Sequence, residues 1–237
     1  MKETMRICTI LARGGSKGLP GKNSKLLGGI PLMAHSIRQA LESAMFQDVV
    51  FSSDSDELLE IAMREGARVV KRPADLADDE SGKLPGIIHA VHQMEQLKAV
   101  NYQTVVDLDV TSPLRSIEDI KKAIAMLESQ KLESVFSASK SRKSPYFNIA
   151  VRADGRWGPA ATVDPYPKRR QDAPETFDMN GSVYVWRKNS LLEHQAVFLG
   201  KTDVYVMQDE ASWDIDTQLD FDIVSYLFAR KELHGEG

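Results

Sequence analysis

Residues 6–23 have the sequence RICTILARGGSKGLPGKN. The first six are mostly apolar or β-branched, which predicts a strand. Residues 13–23 form a glycine-rich loop, and a helical pattern begins at Pro31, because proline suits the first position of a helix. An apolar strand, a long loop and a helix in this order predict the first unit of an α/β fold.

The same alternation continues along the first half of the chain. Strands are predicted at residues 48–52, 67–70, 104–108 and 134–138, and helices at residues 54–66, 85–99 and 116–130. Capping-box patterns mark two of the helix starts, at Asp54 and Ser116. The alternation predicts a mostly parallel, Rossmann-like sheet with helices on both faces, in which ligands bind outside the carboxyl ends of the strands.

Residues 140–177 interrupt this pattern with basic residues, small residues and four prolines between Pro145 and Pro167. Two-residue alternation from Tyr146 to Val151 predicts a strand within an inserted, β-rich arm. Strand and helix patterns resume at residues 181–186 and from about Thr217. A chain of 237 residues with one insertion predicts a single domain, residues 1–237, that carries the arm at residues 140–177.

Composition excludes several classes of function. Thirty lysines and arginines against 34 acidic residues give a net charge of −4, too little positive charge to hold nucleic acid or an anionic membrane. Cys8 is the single cysteine, so an internal disulfide is excluded, and no apolar run approaches the ~20 residues of a membrane span. We expect an unprocessed cytoplasmic protein. Any polyanion should be bound by a local site rather than by the overall charge.

The loop of residues 13–23 has the composition of a phosphate-binding site. Its glycines allow backbone N–H groups to approach a bound anion closely, and its cations add positive charge directly after a strand. These residues are Gly14, Gly15, Gly18, Gly21, Arg13, Lys17 and Lys22. The spacing matches neither the Walker A motif nor a G-x-G-x-x-G dinucleotide loop. The alternative is a flexible surface loop with solvated lysines.

Three Asp-x-Asp pairs are candidates for a metal site, at residues 54/56, 107/109 and 214/216. Residues two apart in an extended segment point the same way, so each pair would offer two oxygens to a hard cation such as Mg²⁺. The pair at residues 54/56 lies at a helix start, where carboxylates favour capping.

The pair formed by Asp214 and Asp216 has no such competing role. The residue between them, Ile215, should face the core, and Thr217 with Asp220 can cap the last helix without either carboxylate. The local argument therefore favours Asp214 and Asp216 as metal ligands.

The glycine-rich loop is one of seven motifs that together resemble a known family. The others lie, in order, at residues 52–56, 71–75, 111–115, 170–171, 180–181 and 214–217. In order and spacing they are similar to those of the acylneuraminate cytidylyltransferases, the CMP-sialic acid synthetases, and residues 11–23 look like the signature loop of that family. The resemblance implies an α/β nucleotide-binding domain and a homodimer formed through the arm at residues 140–177.

The resemblance also implies the reaction. In that family CMP is transferred from CTP to the anomeric hydroxyl of a nonulosonic acid, a nine-carbon keto-sugar acid, and pyrophosphate leaves. The catalytic residues that it implies are Arg13, Lys17, Lys22, Asp214 and Asp216, of which the two aspartates hold Mg²⁺, with Mn²⁺ as an alternative. The nucleotide-binding residues are Leu11, Ala12, Gly14, Ser16, Asn23, Arg72, Asp79 and Lys83, and the sugar-binding residues are Asp109, Arg170, Gln171 and Asn180.

Two positions depart from the best-known members of the family. Asp109 and Val110 stand where those enzymes have glutamine and proline, and Phe147 aligns with a lysine that contacts the sugar. A carboxylate accepts hydrogen bonds but cannot donate them, so the sugar groups recognised should differ. Residues 107–115 are similar to the version in synthetases for legionaminic acid, a deoxy sugar acid with acylamino groups, which is the expected substrate. Asp109 is also the candidate general base.

Three other functions remain open on the sequence. A synthetase for the eight-carbon octulosonic acid of lipopolysaccharide would use the same chemistry, although the contexts of residues 170–171 and 214–217 disfavour it. A glycosyltransferase would bind a sugar nucleotide through an Asp-x-Asp pair, yet a diphosphate donor needs less positive charge than the loop provides. A non-catalytic module that binds sugar nucleotides would release no pyrophosphate.

Overall fold

The computed structural model describes residues 4–15, 18–77 and 82–234. Its strands are β1 Arg6–Leu11, β2 Leu26–Leu27, β3 Ile30–Pro31, β4 Asp48–Ser53, β5 Arg68–Lys71, β6 Thr104–Leu108, β7 Ser134–Lys140, β8 Ala150–Ala153, β9 Arg156–Pro159, β10 Phe177–Arg187 and β11 Thr202–Val206. Its α-helices are α1 Leu32–Glu42, α2 Asp56–Arg64, α3 Leu84–Lys98, α4 Ile117–Ser129, α5 Lys188–His194 and α6 Gln218–His234.

Seven of the strands form one sheet in the order β11-β7-β10-β6-β1-β4-β5. Only β10 runs antiparallel to its neighbours in this sheet, and the other four pairings are parallel. This confirms the predicted mostly parallel sheet. Because β1, β4 and β6 are adjacent and parallel, their carboxyl ends meet at one edge, which is where a ligand site is expected.

Helices cover both faces of the sheet, as the sequence predicted. Alternate residues of β1 enter two different cores, with Cys8 and Ile10 in one and Ile7 and Leu11 in the other. The first core packs against α1, α2, α4 and α6, and the second against α3 and α5. Burial of each large apolar side chain contributes roughly 1.5–3 kcal/mol, so both faces stabilise the fold.

Two helix starts differ from the sequence prediction. Pro31 pairs with Leu26 in a small hairpin and precedes the first helical residue of α1, because the positive φ angles of Gly28 and Gly29 turn the chain back there. At the second helix the cap is Ser55 rather than Asp54, and its side chain accepts a hydrogen bond from the Leu58 amide. The carboxylate of Asp54 is used elsewhere, as described below.

The arm segment at residues 140–177 contains a short hairpin, β8 and β9, joined by Asp154 and Gly155 with positive φ. This Asp-Gly turn is typical of a two-residue hairpin. The strand predicted from Tyr146 is wrong for its first residues, because the amides of Phe147 and Asn148 bond back to the Ser144 carbonyl in a turn. The strand begins instead at Ala150.

None of the helices in the described ranges is long and apolar enough to cross a membrane.

Candidate active site

Two adjoining cavities lie at the carboxyl ends of β1 and β6, with volumes of about 320 and 300 Å³. They share four lining residues, Leu11, Ala12, Arg13 and Asp109. The first, which we call the loop cavity, is also lined by Gly18, Lys22, Asn23, Val110, Thr111, Asp214 and Asp216. The second, the Arg72 cavity, is also lined by Arg72, Leu76, Ala77, Gly82 and Lys83. The two together form one crevice.

The glycine-rich loop is fixed to the sheet by hydrogen bonds to its backbone. The Asn23 side chain donates to the Arg13 carbonyl at 3.0 Å, and the buried Arg72 guanidinium donates to the Ala12 carbonyl at 2.9 Å. The Gly14 amide donates to Asp54 Oδ1 at 2.9 Å. Asp54 therefore anchors the loop, and the Gly14 amide would have to leave this carboxylate before it could bind a phosphate.

The loop contacts the 214–216 segment across the crevice. Lys22 Nζ donates to the Ile215 carbonyl at 2.6 Å and lies 3.1 Å from Asp216 Oδ1. A Cβ atom at Gly18 would lie 2.4 Å from the Asp216 carbonyl oxygen, so only glycine fits this approach. Arg13 and Lys22 thus line the same cavity as the carboxylate pair.

Asp214 presents a buried carboxylate oxygen that suits a cation. Its Oδ1 atom is buried and has no hydrogen-bond partner in the part of the chain that the structure describes. Burial raises the pKa of Asp214; a hydrogen bond from Thr111 opposes the rise, and the neighbouring charges of Asp109 and Asp216 add to it. A buried carboxylate oxygen without a partner costs free energy unless a cation or donor meets it.

Backbone contacts of the neighbouring residues hold the Asp214 and Asp216 pair in place. Ile215 is fully buried, and its amide donates to the Thr111 carbonyl at 3.0 Å. The start of α6 is capped by Thr217 and Asp220, which exchange hydrogen bonds between side chain and backbone. Asp216 itself remains exposed apart from Lys22.

A second cluster of charges lies at the junction of the two cavities. Lys83 Nζ lies 2.6 Å from Asp107 Oδ2 and 2.7 Å from Asp109 Oδ2. Burial opposes the charge of Lys83, but the two carboxylates outweigh it and raise the pKa of Lys83. Burial also raises the pKa of Asp107, whereas at Asp109 it is outweighed by Lys83 and by hydrogen bonds from Thr111, which lower the pKa to about 2. Asp109, the candidate general base, is thus held in its ionised form by Lys83 and Thr111.

Of the residues expected at the sugar, Asp109 lines the crevice, whereas Arg170, Gln171 and Asn180 do not. Arg170 and Gln171 line a separate cavity of about 500 Å³ in the arm, where the Arg170 guanidinium donates to the Arg142 carbonyl. Asn180 lies in β10 with its side chain buried, and its oxygen accepts a hydrogen bond from Ser137 of β7 at 2.6 Å. Its nitrogen donates to Ser212 at 3.1 Å.

A further cavity of about 420 Å³ lies between the arm and the crevice. It shares Asp214 with the loop cavity and Lys140 with the arm cavity. Neighbouring cavities with shared lining residues therefore lie between the carboxylate pair and Arg170, although Arg170 does not line the crevice itself. Three predicted site residues, Ser16, Lys17 and Asp79, lie outside the described residues.

Arg115 is a structural part of the site to which the sequence analysis gave no role. Its buried guanidinium donates to the Asp109 carbonyl, to the Ser36 hydroxyl and to the Ser182 carbonyl. It thereby fixes the loop after β6 to α1 and β10. Arg115 ends the motif at residues 111–115, and a guanidinium can donate to several carbonyl oxygens at once. The motif was therefore the sequence feature from which this role could have been predicted. Cys8 is fully buried, and burial raises the pKa of its thiol, as expected of a small apolar core residue.

A model of the cytidylyltransferase family matches residues 7–233 of the chain. The chain belongs to this family. Among similar proteins, the CMP-N,N'-diacetyllegionaminic acid synthase of Campylobacter jejuni is 38% identical over 228 residues, which cover 96% of both chains. The post-translational flagellin modification protein B of Campylobacter coli is 36% identical over 97% of both chains. An N-acylneuraminate cytidylyltransferase of Streptococcus agalactiae is 34% identical over 94% of this chain and 53% of its own length.

Solved structures with the same fold include other cytidylyltransferase-type enzymes. A CMP:2-keto-3-deoxy-manno-octonic acid synthetase solved with CTP has a TM-score of 0.71 to this cytidylyltransferase, over 96% of this chain and 100% of that one, at 15% identity. A 4-diphosphocytidyl-2C-methyl-D-erythritol synthase gives a TM-score of 0.67 over 94% and 99% of the two chains, at 13% identity. At these identities the likeness establishes the fold.

Proposed function

We propose that this cytidylyltransferase transfers CMP from CTP to the anomeric hydroxyl of a nine-carbon sialic-type acid, with a legionaminic acid as the sugar. The observation that carries the proposal is the loop cavity, where Lys22 and the loop face the Asp214 and Asp216 carboxylates. A cationic wall opposite two carboxylates suits a triphosphate with a divalent cation. The 38% identity to the diacetyllegionaminic acid synthase supports the choice of sugar.

The chemistry of such a transfer is positioning and charge neutralisation. The sugar hydroxyl attacks the α-phosphorus of CTP in line, and the bond to the β-phosphate oxygen breaks to release pyrophosphate. Arg13, Lys17 and Lys22 bind the triphosphate oxygens, where negative charge grows as pyrophosphate departs. Leu11, Ala12, Gly14, Ser16, Asn23, Arg72, Asp79 and Lys83 form the nucleotide site. Its nucleoside part is the Arg72 cavity, which opens beside the loop.

The residues present fit a magnesium ion, with manganese as an alternative. Buried Asp214 Oδ1 lacks a partner, and hard oxygen ligands are those that Mg²⁺ prefers. Residues 4–15, 18–77 and 82–234 contain no group of three or more histidine, cysteine, aspartate or glutamate side chains placed to hold a metal. Asp214 and Asp216 would therefore share the ion with phosphate oxygens of CTP, as is common for Mg²⁺ at nucleotides. The ion would neutralise phosphate charge and lower the pKa of a bound hydroxyl.

The arm supplies the remaining part of the proposal. We assign Arg170, Gln171 and Asn180, together with Asp109, to the sugar acid, because a guanidinium suits bidentate binding of a carboxylate. The hairpin β8–β9 exposes apolar side chains, including Val151 at 43% and Trp157 at 73%. A large exposed apolar surface is typical of a protein interface, so the arm would form a homodimer.

Light scattering of the purified chain tests the dimer. The wild type is expected at twice the mass of one chain, and Trp157→Ser should shift it towards a single chain. Leu97→Ser, at an equally exposed position on α3, is the matched control and should leave the dimer intact. A wild-type mass near one chain would refute the assignment. We place the enzyme in the cytoplasm, in accord with its single buried cysteine.

Pyrophosphate release with CTP and Mg²⁺ tests the function. The acids to compare are N-acetylneuraminic, N,N'-diacetyllegionaminic, pseudaminic and the eight-carbon octulosonic acid. Release with a nine-carbon acid, fastest with the legionaminic form, is the expected result. Release with the octulosonic acid alone would replace the proposal by the octulosonate synthetase. If no acid gives pyrophosphate release although CTP still binds, a glycosyltransferase or a binding module would be favoured.

A further inference from the structure

The residue between the two carboxylates of the metal pair is held by hydrogen bonds on both sides. The Ile215 amide donates to the Thr111 carbonyl at 3.0 Å, and the Ile215 carbonyl accepts a hydrogen bond from Lys22 Nζ at 2.6 Å. Thr111 belongs to the loop after β6, whereas Lys22 belongs to the glycine-rich loop. Because Asp214 and Asp216 flank Ile215, their positions depend on where the Thr111 carbonyl lies.

The loop after β6 is fixed at Asp109, two residues before Thr111. The Asp109 amide donates to the Ser182 carbonyl on β10 at 3.2 Å. The Asp109 carbonyl accepts hydrogen bonds from the Ser36 hydroxyl at 2.8 Å and from the Arg115 guanidinium. The same guanidinium donates to the Ser36 hydroxyl and to the Ser182 carbonyl. Arg115 therefore contacts both groups that hold the Asp109 backbone, as well as that backbone itself.

Arg115 is in turn fixed by α1. Its Nε atom donates to Gln39 Oε1 at 2.9 Å, and Gln39 Nε2 donates back to the carbonyls of Pro113 at 2.8 Å and Arg115 at 3.0 Å. Arg115 is 2% exposed, and every hydrogen bond that its guanidinium makes with the described residues goes to a neutral oxygen. Burial lowers the pKa of Arg115 to about 10. A charge buried in this way costs free energy, so packing alone does not explain an arginine here.

The planar shape of the guanidinium suits this network. It presents five N–H donors in a fixed fork, whereas the ammonium group of a lysine has three donors on one nitrogen. The partners of Arg115 lie on α1, on β10 and in the loop after β6, so a single nitrogen could not reach all of them. Arg115 lines neither the loop cavity nor the Arg72 cavity. Any effect of Arg115 on the reaction therefore passes through the loop.

We propose that Arg115 is a positioning residue for the metal pair. It fixes the Asp109 carbonyl and, through the loop, the Thr111 carbonyl. The Thr111 carbonyl then holds the Ile215 amide, and with it the two carboxylates, at the separation that one divalent cation requires. The inference deepens the proposed function and rests on its assignment of a divalent cation to this pair.

Calorimetric binding of CTP to Arg115→Lys, with Mg²⁺ and with EDTA, tests the inference without turnover. In EDTA the Kd for CTP should stay within about twofold of the wild type, because Arg115 lies outside the nucleotide site. With Mg²⁺ the gain in CTP affinity should fall about tenfold, within the range for residues that support metal ligands. The Mg²⁺ concentration for half-maximal pyrophosphate release should rise about 10- to 100-fold for the same reason.

Two results with Arg115→Lys would overturn the inference. The first is a Mg²⁺ dependence equal to that of the wild type. The second is a loss of CTP affinity that is the same with Mg²⁺ and with EDTA, which would assign Arg115 a structural role.

Ser36→Ala keeps the test decisive if Arg115→Lys does not fold. This variant removes one hydroxyl from the Asp109 carbonyl and leaves Arg115 in place. The Mg²⁺ requirement should then rise about three- to tenfold, the equivalent of one hydrogen bond. If Arg115→Lys does not fold, an unchanged Mg²⁺ requirement in Ser36→Ala overturns the inference.

Two further variants control for general disturbance of the fold. Lys231→Met removes a hydrogen bond from α6 to the Leu114 carbonyl, which lies in the outer part of the same loop. Tyr102→Phe removes a buried hydrogen bond at the amino end of β6, away from the crevice. Both should leave the Mg²⁺ requirement within about twofold of the wild type. A rise as large as that in Arg115→Lys would mean that lost stability raises the requirement, and would overturn the inference.

Failure of the proposed function and failure of the inference give different results. If Mg²⁺ tightens CTP binding in the wild type but no nine-carbon acid gives pyrophosphate, the proposed transfer falls, and the calorimetric comparison still decides the role of Arg115. If Mg²⁺ neither tightens CTP binding nor is needed for release, the metal assignment falls and the inference falls with it. If the wild type shows both effects and Arg115→Lys matches it, only the inference falls.

Discussion

Lys22 Nζ lies 3.1 Å from Oδ1 of Asp216, although 194 residues separate the two in the chain. The lysine side chain is 14% exposed and the aspartate side chain 75% exposed, so the lysine is the anchored partner. An ion pair with one side in solvent contributes at most about 1 kcal/mol to stability. The pair is therefore poorly explained by stability, and variants of either residue should report on catalysis.

Replacement of Lys22 should separate activity from folding. Lys22→Ala is expected to lower kcat for pyrophosphate release by about 100- to 1000-fold, because a positive charge at the departing phosphates is lost. The Tm should change by less than about 3 °C, since the Asp216 side of the ion pair is 75% exposed. Lys25→Ala is the matched control, because Lys25 donates to Gln218 and lies over the Phe221 ring, outside the loop cavity. Wild-type turnover in Lys22→Ala would remove this lysine from phosphate binding.

Replacement of Asp214 should lower activity and raise stability. Asp214→Asn removes a buried charge whose pKa is raised by burial, so the Tm at pH 7 should increase by about 2–4 °C, or roughly 1 kcal/mol. Turnover should fall at least 100-fold, and the Mg²⁺ concentration for half-maximal rate should increase. Asp56→Asn provides the comparison, because Asp56 belongs to another Asp-x-Asp pair and is 84% exposed beside Lys71. A loss of stability without a change in Mg²⁺ dependence would assign Asp214 a structural role.

Two glycines of the same loop offer a geometric test. A Cβ at Gly18 would meet the Asp216 carbonyl at 2.4 Å, whereas no described atom lies within 4 Å of a Cβ at Gly15. Gly18→Ala must push the loop and the 214–216 segment apart, so kcat/KM for CTP should fall at least tenfold. Gly15→Ala should stay within about threefold of the wild type in the same assay. Wild-type activity in Gly18→Ala would mean that the close contact between Gly18 and Asp216 is not needed, and similar losses in both variants would mean that the loss does not arise from this contact.

The sheet was predictable because hydrophobic periodicity reports burial, and the strands β1, β4 and β6 are buried on both faces. Helix starts were less certain, because several polar residues compete for one cap. Ser55 rather than Asp54 is the N-cap of α2, because the Asp54 carboxylate accepts a hydrogen bond from the Gly14 amide. The contact joins the loop after β1 to the residues after β4, which only the folded sheet brings together, so no local sequence pattern predicts it.

The candidate site was only partly predictable for the same reason. Asp214 and Asp216 could be chosen over Asp54 and Asp56 from local sequence, because Ile215 between them is an obvious core residue. The contact of Lys83 with Asp107 joins α3 to β6 and has no signature in either segment. Lys83 also pairs with Asp109. The Asp109 carboxylate is therefore not the free acceptor that residue types alone suggest.

Asp48 should control the acid stability of the fold. Its side chain is 2% exposed and accepts hydrogen bonds from Arg68 at 2.7 Å, Lys98 at 2.5 Å and Tyr102 at 2.6 Å. Burial opposes its ionisation, but Lys98, Tyr102 and Arg68 outweigh burial and lower the pKa of Asp48. Asp48→Ala is expected to cost about 3 kcal/mol at pH 7, because the tyrosine and two cations lose their acceptor.

A lowered pKa in the folded state fixes the sign of the pH dependence. The unfolded chain binds a proton at Asp48 near pH 3.9 and the folded chain only below that, so the stabilisation is complete above about pH 5. It is lost as the pH falls through the folded pKa. The difference in unfolding free energy between wild type and Asp48→Asn, measured by urea denaturation, should therefore be constant from pH 7 to pH 5 and shrink below pH 4. Asp56→Asn, whose carboxylate is exposed, should show almost no difference at any pH, and a gap for Asp48→Asn that persists unchanged at pH 3 would contradict the ionised role of this aspartate.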